Sequence, residues 1–176
     1  MASNIQKLYQ YTTPDICDLL EDPRVMACEI KARTGATKTA GYAVTVELPA
    51  GVGRCAAIEA AFDQLKEDDV LVLAGGGDRK YALWGDKRSR RAMSKGANGV
   101  IVDGLIRDIE ENIEVEFPIF ARGIIPVASR EKAEGRLNVP VSCGGVTVNP
   151  GDVIFADANG VVVLTKEELN TIPSEK

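Results

Sequence analysis

The sequence predicts an α/β fold in which a parallel strand–helix–strand portion is followed by a β-rich C-terminal half. Two observations carry this prediction. Strand-like and helix-like segments alternate through residues 42–103, which is typical of parallel crossovers. After Phe117 the chain changes to short apolar runs separated by Gly, Pro and Asn.

Local signals place the elements of the first half. Thr12 followed by Pro14 and Asp15 indicates a capped helix start, and Val44, Val46 and Leu48 alternate with polar residues as in a half-buried strand. The predicted elements are a helix over 12–21, a strand over 42–48, a helix over 54–66, a strand over 70–74, a helix over 81–95, a strand over 99–103 and a helical turn over 107–111.

The second half is predicted to consist of short strands joined by tight turns. The sequences at 149–152 and 157–160 combine Asn, Asp and Gly, which favour hairpins or bulges. The predicted strands cover 118–121, 139–142, 146–148, 153–156 and 161–164.

Composition limits the class of protein. The chain has 176 residues, 45% apolar and 27% charged, so we expect one globular domain over residues 1–176. No apolar run reaches the ~20 residues of a membrane span, and the first residues lack a signal-peptide pattern, so we expect a cytoplasmic protein with no membrane partner. A net charge of -5 argues against a nucleic-acid partner.

The chain contains no histidine, which excludes Ser-His-Asp and Cys-His catalysis. Its four cysteines form no CxxC pair, and we expect them to be small buried side chains. A bound metal would therefore have oxygen ligands, which favours Mg²⁺ or Mn²⁺ over zinc.

Two glycine-rich segments suggest nucleotide binding only weakly. Residues 51–56 match a loose dinucleotide fingerprint, but the acid expected after the next strand is missing. Gly76 and Gly77 follow a buried strand, yet the sequence continues without the Lys-Ser/Thr of a phosphate-binding loop. A turn with positive φ and a functional loop remain equally good interpretations.

The most informative pattern is Asp86, twenty intervening residues, and then Arg107-Asp108. The predicted helix and strand between them form one crossover, so the helix start and the strand end should meet at one edge of the sheet. Spacing alone favours an ordinary salt bridge there. The basic residues Lys87, Arg88, Arg90 and Arg91 either cover a solvated helix face or steer an anionic substrate.

Several segments together resemble the RraA-like family, which contains the regulator of ribonuclease activity A and the 4-hydroxy-4-methyl-2-oxoglutarate aldolases. They lie at residues 75–86, 99–104, 107–108, 117–123 and 144–152. The resemblance implies a swivelling-domain-type layered fold and a homotrimer or a hexamer made of two trimers.

By the same resemblance, Asp108 binds the divalent metal, Mg²⁺ or Mn²⁺, and Asp86 holds a metal-bound water. Arg107 binds the 2-oxo oxygen of the substrate, and backbone amides around Gly85, Asp86 and Lys87 bind its carboxylate. The loop of Gly76 and Gly77 is expected to contribute to substrate binding.

The implied activity is retro-aldol cleavage of a 4-hydroxy-2-oxo acid, releasing pyruvate, with oxaloacetate decarboxylation as a side activity. The alternative is a non-catalytic regulator of a ribonuclease, while a quinone methyltransferase would need a methyl-donor motif that the sequence lacks. Arg54, Cys55 and Glu59 stand where the aldolases often carry Asp, Asn and His, and few residues follow Leu164. These departures concern the part of the pocket beyond the pyruvate moiety.

Overall fold

The structure, a computed structural model, describes residues 4–50, 52 and 54–176. Its helices are a 3-10 helix (Gln6–Gln10), α1 (Thr13–Leu19), α2 (Ala56–Gln64), α3 (Asp86–Ser94), α4 (Ile109–Val115) and α5 (Lys166–Thr171). Its strands are β1 (Arg24–Val25), β2 (Lys31–Ala32), β3 (Thr39–Glu47), β4 (Arg54–Cys55), β5 (Asp69–Ala74), β6 (Ala82–Trp84), β7 (Gly99–Ile106), β8 (Ile119–Ile124), β9 (Lys132–Ala133), β10 (Arg136–Leu137), β11 (Val141–Cys143), β12 (Val146–Val148), β13 (Val153–Asp157) and β14 (Gly160–Leu164).

The main sheet has the strand order β1-β14-β13-β3-β5-β7-β8-β2, with β10 beside β3 and β6 beside β7. Strands β3, β5, β7 and β8 are parallel, and α2, α3 and α4 lie in the crossovers between them. Strands β13, β14 and β1 extend the sheet in antiparallel order from β3. The predicted α/β fold class, with a parallel portion and a β-rich C-terminal half, is confirmed.

Apolar side chains cover both faces of the central strands. One cluster packs β5 and β7 against α2 and includes Ile58, Phe62 and Trp84. The other lies under the β11–β12 hairpin and includes Val141 and Val148. Burial of the central strands on both faces explains why their sequences are almost continuously apolar.

The helix predicted over 81–95 is wrong in its first part, because Ala82–Trp84 form strand β6 and the helix begins only at Asp86. β6 pairs in parallel with the end of β7, opposite Leu105 and Ile106, and this long-range pairing overrides helix propensity. Met93, an apolar residue of α3, is 49% exposed.

Among the other boundaries that differ from the prediction, three lie close to the candidate site residues or to the start of α2. Residues 54–55 form β4, paired with β9, so α2 begins at Ala56. β7 continues through 103–104 to Ile106 across a register shift, instead of ending there. Asp108 has a left-handed backbone with φ 55°, so the helix predicted over 107–111 begins only at Ile109.

Within the described residues, no helix is long and apolar enough to cross a membrane. A cytoplasmic location stays a prediction. Of the four free cysteines, Cys55 and Cys143 are buried, as expected, while Cys28 is exposed.

Candidate active site

The start of α3 and the end of β7 meet at one edge of the sheet, as the spacing of Asp86 and Arg107-Asp108 predicts. The amide of Arg107 donates to the carbonyl of Trp84 at 3.0 Å, which fastens the segment after β7 to the segment just before α3. Gly85, Asp86, Arg107 and Asp108 all line one cavity. Residues with twenty others between them in the sequence are thus brought together.

Asp108 is held against Gly85. A Cβ atom added to Gly85 would lie 2.6 Å from Oδ2 of Asp108, far inside van der Waals contact. The same Oδ2 forms an ion pair with Nε of Arg107 at 3.2 Å, and both side chains are partly exposed. Gly85 therefore leaves the space in which the Asp108 carboxylate reaches the start of α3.

The N-terminus of α3 is open towards this carboxylate. Gly85 provides no side-chain cap, and the amides of Arg88 and Ser89 both donate to the Gly85 carbonyl. In the part of the chain that the structure describes, the amides of Asp86 and Lys87 have no protein acceptor. The Asp86 carboxylate lies 3.8 Å from Nε of Arg90, one turn along the helix. Free amides at a helix start can bind an anion.

The cavity has a volume of about 570 Å³ and a cationic lining. Besides the residues already named, Lys87, Arg88, Arg54 and Arg130 line it, so five cationic side chains face two carboxylates. Its remaining walls come from β6 and from residues 126–129. Such a lining attracts small anions with more than one negative charge.

Some basic residues of α3 line the cavity, as an anion-steering role requires, and others lie on the solvated face of the helix. Lys87 and Arg88 line the cavity, and Arg88 also donates to the Leu83 carbonyl at 2.5 Å. Burial lowers the pKa of the Arg88 guanidinium. Arg91 instead pairs with Glu59 at 2.5 Å on the exposed side of the helix.

Gly76 and Gly77 form the expected turn with positive φ, at 65° and 73°. The structure does not bring them to the cavity: neither lines it, and a Cβ on Gly77 would lie 3.3 Å from Nε of Arg122. Their role in substrate binding stays a prediction. Gly51 and Gly53 of the dinucleotide fingerprint lie outside the described residues.

A buried hydrogen-bond chain that sequence reasoning missed lies behind the site. Trp84 Nε1 donates to Ser89 Oγ at 2.8 Å, and Ser89 Oγ donates to Asn112 Oδ1 at 2.6 Å. The amide nitrogen of Asn112 donates to the carbonyls of Arg107 and Asp108 at 2.9 and 2.8 Å. Isolated Ser and Asn residues in helices give no sequence signal, because the same residues are common on solvated faces.

The donor set around the cavity fits a hydrated magnesium-type ion. Asp86 and Asp108 are its two carboxylates, and no group of three or more His, Cys, Asp or Glu side chains able to hold a metal occurs within the described residues. Mg²⁺ is commonly bound through one or two carboxylates and keeps several waters, whereas structural zinc needs four protein ligands. Among the described residues no donor forms a hydrogen bond to either carboxylate oxygen of Asp108, whose Oδ2 is paired only electrostatically with Arg107.

The RraA-like family model, described as Aldolase/RraA, matches residues 13–163. The chain belongs to the RraA-like family. A protein of Halalkalibacterium halodurans whose provisional name is 4-hydroxy-4-methyl-2-oxoglutarate aldolase is 37% identical over 168 residues, which is 94% of this chain and 79% of that protein. The next two relatives are longer, and the chain spans 50% and 29% of their lengths.

Two solved structures show the range of names attached to this fold. The RNA-processing inhibitor RraA from Thermus thermophilis superposes with a TM-score of 0.79 at 31% identity, covering 88% of this chain and 92% of that one. A Geobacillus kaustophilus chain named S-adenosylmethionine: 2-dimethylmenaquinone methyltransferase superposes with a TM-score of 0.82 at 31% identity, covering 93% and 100%. The RraA-like resemblance of the sequence is confirmed.

Proposed function

We propose that this RraA-like protein is a divalent-metal-dependent lyase that cleaves a 4-hydroxy-2-oxo acid, of the 4-hydroxy-4-methyl-2-oxoglutarate type, and releases pyruvate. The observation that carries the proposal is the contact of Asp108 with Gly85, which places a carboxylate and Arg107 beside the open start of α3 in a cationic cavity. The provisional name of the Halalkalibacterium relative supports the same reaction.

The pyruvate end of the substrate carries a carboxylate beside a 2-oxo group. The free amides of Asp86 and Lys87 suit the carboxylate, because they lie at the positive end of the α3 dipole. Arg107 belongs to the other half of the site and lines the same cavity, so its guanidinium can donate to the 2-oxo oxygen. The two groups together fix the substrate in one orientation.

As the bond between C3 and C4 breaks, the C4 hydroxyl passes its proton to water and becomes the carbonyl of the second product. The electrons of the broken bond leave a pyruvate enolate, with its negative charge shared by the 2-oxo oxygen. A bound Mg²⁺ or Mn²⁺, held by Asp108, would supply Lewis-acid stabilisation of that oxygen. The Arg107 guanidinium adds charge-assisted hydrogen bonding to the same atom. Asp86, which lines the same cavity, would hold the water that takes up this proton and returns it to C3.

Loss of carbon dioxide from oxaloacetate leaves the same enolate, so the same residues should also decarboxylate oxaloacetate. No part of this scheme needs histidine, which the chain lacks. The trimer or hexamer implied by the family resemblance belongs to the proposal as well.

The test is pyruvate release from 4-hydroxy-4-methyl-2-oxoglutarate and from oxaloacetate, with Mg²⁺ or Mn²⁺ and with or without chelator. We expect metal-dependent release above the metal-only rate. Asp108→Asn should lower it by roughly 10²–10³-fold, the range seen when one group that stabilises developing charge is removed. The matched control is Glu111→Gln, which neutralises an exposed carboxylate on α4 and should leave the rate unchanged.

The alternative is a regulator that binds a ribonuclease without chemistry, as the name of the Thermus structure suggests for that protein. That alternative predicts no metal-dependent pyruvate release, together with inhibition of a ribonuclease that Asp108→Asn leaves intact. Unchanged pyruvate release in Asp108→Asn would instead refute the assigned metal ligand.

A further inference from the structure

The backbone that carries Arg107 and Asp108 needs a support of its own. Asp108 has φ 55° and ψ 50°, a left-handed conformation that few residues other than glycine adopt. Such a conformation persists only where neighbouring groups hold it. The carbonyls of Arg107 and Asp108 are therefore the atoms to follow.

Both carbonyls accept from one side-chain amide. Nδ2 of Asn112 donates to the Arg107 carbonyl at 2.9 Å and to the Asp108 carbonyl at 2.8 Å, so each of its two hydrogens has an acceptor. Oδ1 of Asn112 accepts from the Ser89 hydroxyl. The opposite orientation of the amide would set its oxygen against two carbonyls, so these contacts admit only one orientation.

The chain continues to the other half of the site. Ser89 lies on α3, one turn after Asp86, and its oxygen accepts from the indole N–H of Trp84 on β6. Ser89 and Asn112 are fully buried and Trp84 is nearly so, which keeps water from competing for these bonds. One buried network thus connects β6, α3 and α4 behind the cavity.

We infer that Asn112, itself held by Ser89 and Trp84, is a positioning residue that fixes Asp108 relative to the start of α3 and thereby sets the affinity of the site for a divalent cation. The inference rests on the proposed function, because it takes Asp108 as the metal ligand. Asn112 does not line the cavity, so it can act on a ligand there only through the two carbonyls to which it donates. Partners that orient a metal ligand typically change metal affinity 10–100-fold when they are removed.

The experiment is titration of the purified full chain with Mn²⁺ alone, followed by calorimetry or electron paramagnetic resonance. Asn112→Ala should weaken Mn²⁺ binding by about 10-fold or more. Ser89→Ala should weaken it less, because Asn112 then keeps its bonds to both carbonyls while its oxygen loses the hydroxyl. Trp84→Phe, which removes the indole donor at the end of the chain together with part of the buried ring, should have the smallest effect of the three on Mn²⁺ affinity, although it also lowers stability.

The matched control is Thr45→Val on β3. Thr45 is also fully buried, and its hydroxyl donates to the Val139 carbonyl at 2.6 Å, but it lines no part of the cavity. It should lower the melting temperature much as Ser89→Ala does and leave Mn²⁺ affinity unchanged. Excess Mn²⁺ should restore part of the oxaloacetate decarboxylation that Ser89→Ala and Asn112→Ala lose, because the defect lies in metal affinity.

If Asn112→Ala does not fold, Ser89→Ala decides the question. Mn²⁺ affinity within twofold of wild type in the folded variants, with melting temperatures lowered as in Thr45→Val, would overturn the positioning role and leave the proposed function standing. A wild-type chain that neither binds Mn²⁺ nor releases pyruvate would overturn both.

Discussion

Two aspartate–arginine pairs lie five residues apart along the chain, at Asp103 within β7 and at Asp108 just after it. Asp103 is buried, accepts from Nε of Arg122 at 2.5 Å, and takes the amide of Gly144 on its second oxygen at 2.8 Å. Asp108 forms an ion pair with Arg107 at 3.2 Å, and its side chain is 34% exposed, against 5% for Asp103.

The difference lies in how completely the chain satisfies each carboxylate. Both oxygens of Asp103 are occupied by donors of the protein itself, as a buried charge requires. The carboxylate oxygens of Asp108 face a cavity and can still accept hydrogen bonds or bind a cation. This adds nothing to the stability of the fold, but it allows a ligand to bind. The two pairs share their chemistry, so burial and donor count distinguish a structural acid from a candidate ligand.

Asparagine at each position gives the largest expected contrast. Asp103→Asn should lower the free energy of unfolding by about 3 kcal/mol, because it leaves the largely buried Arg122 charge to the more distant and more exposed carboxylate of Glu29, 3.8 Å away. Asp108→Asn should change it by less than about 1 kcal/mol, since its pair is exposed and Asn tolerates the left-handed backbone.

Urea unfolding of both variants measures this contrast. Equal losses of stability in the two variants would contradict the distinction between the pairs. A lower stability of Asp108→Asn than of Asp103→Asn would likewise contradict the assignment of Asp103 as the structural acid.

Gly85→Ala is expected to act on the Asp108 site alone. The backbone of Gly85 is extended, so alanine adds no backbone strain, but its Cβ would lie 2.6 Å from Oδ2 of Asp108. A carboxylate displaced by about 1 Å should lower pyruvate release roughly 10²-fold, or about 2.7 kcal/mol in the activation barrier.

The control for this variant is Gly35→Ala, where nothing lies within 4 Å of an added Cβ. It should keep the wild-type rate of pyruvate release. Full activity in Gly85→Ala would show that the contact with Asp108 has no part in the reaction.

A third carboxylate, that of Asp157, allows the contribution of a fully hydrogen-bonded acid to stability to be tested by varying the pH. Asp157 is buried and accepts from the amide and hydroxyl of Thr13 at 2.7 Å each and from the amide of Asn159 at 2.8 Å. Burial alone would raise the pKa of Asp157, but the donors of Thr13 and Asn159 outweigh it, and the pKa is lowered. Asp157 thus belongs with Asp103 among the satisfied acids.

Thr13→Val should therefore cost about 1.5–2 kcal/mol of stability at pH 7, the value of a hydrogen bond to a charged group. Because the folded-state pKa of Asp157 is lowered, this contribution is complete above pH ~4 and is lost as pH falls through the folded-state pKa. Chemical unfolding of the wild type and of Thr13→Val, measured from pH 7 down to pH 3, should show their free energies of unfolding converging below pH ~4. A difference that stays constant over this range would exclude the charged bond as its source.

Much of the fold could be predicted from local sequence. The bounds predicted for β5, β13 and β14 each lie within one residue of the observed ones, because burial on both faces imposes a continuous apolar pattern. The Thr12 cap is confirmed by a capping box with Asp15. Strand β6 could not be foreseen, because three residues show no period and their partner, β7, lies in a different part of the sequence.

The candidate site divides in the same way. Asp86, Arg107 and Asp108 were found because their spacing spans one crossover and because the surrounding motifs resemble a family. Their assigned roles stay predictions. Asn112 and Ser89 were missed because their function depends on tertiary contacts with two carbonyls and an indole, which no local pattern encodes.

The length of the crossover between Asp86 and Arg107 sets how these two residues are oriented relative to each other. Its nine-residue helix is ~13 Å long, and each residue turns the helix by ~100°. One residue inserted within α3 would rotate Asp86 away from Asp108 by more than a quarter turn, while the hydrogen bond from Arg107 to Trp84 would still tie the two ends together. The interval of twenty residues therefore fixes the direction in which Asp86 faces at the cavity. An insertion in the turn over 95–98 would leave that direction unchanged and would instead disturb contacts such as the hydrogen bond from the Asn98 amide to the Asp69 carbonyl.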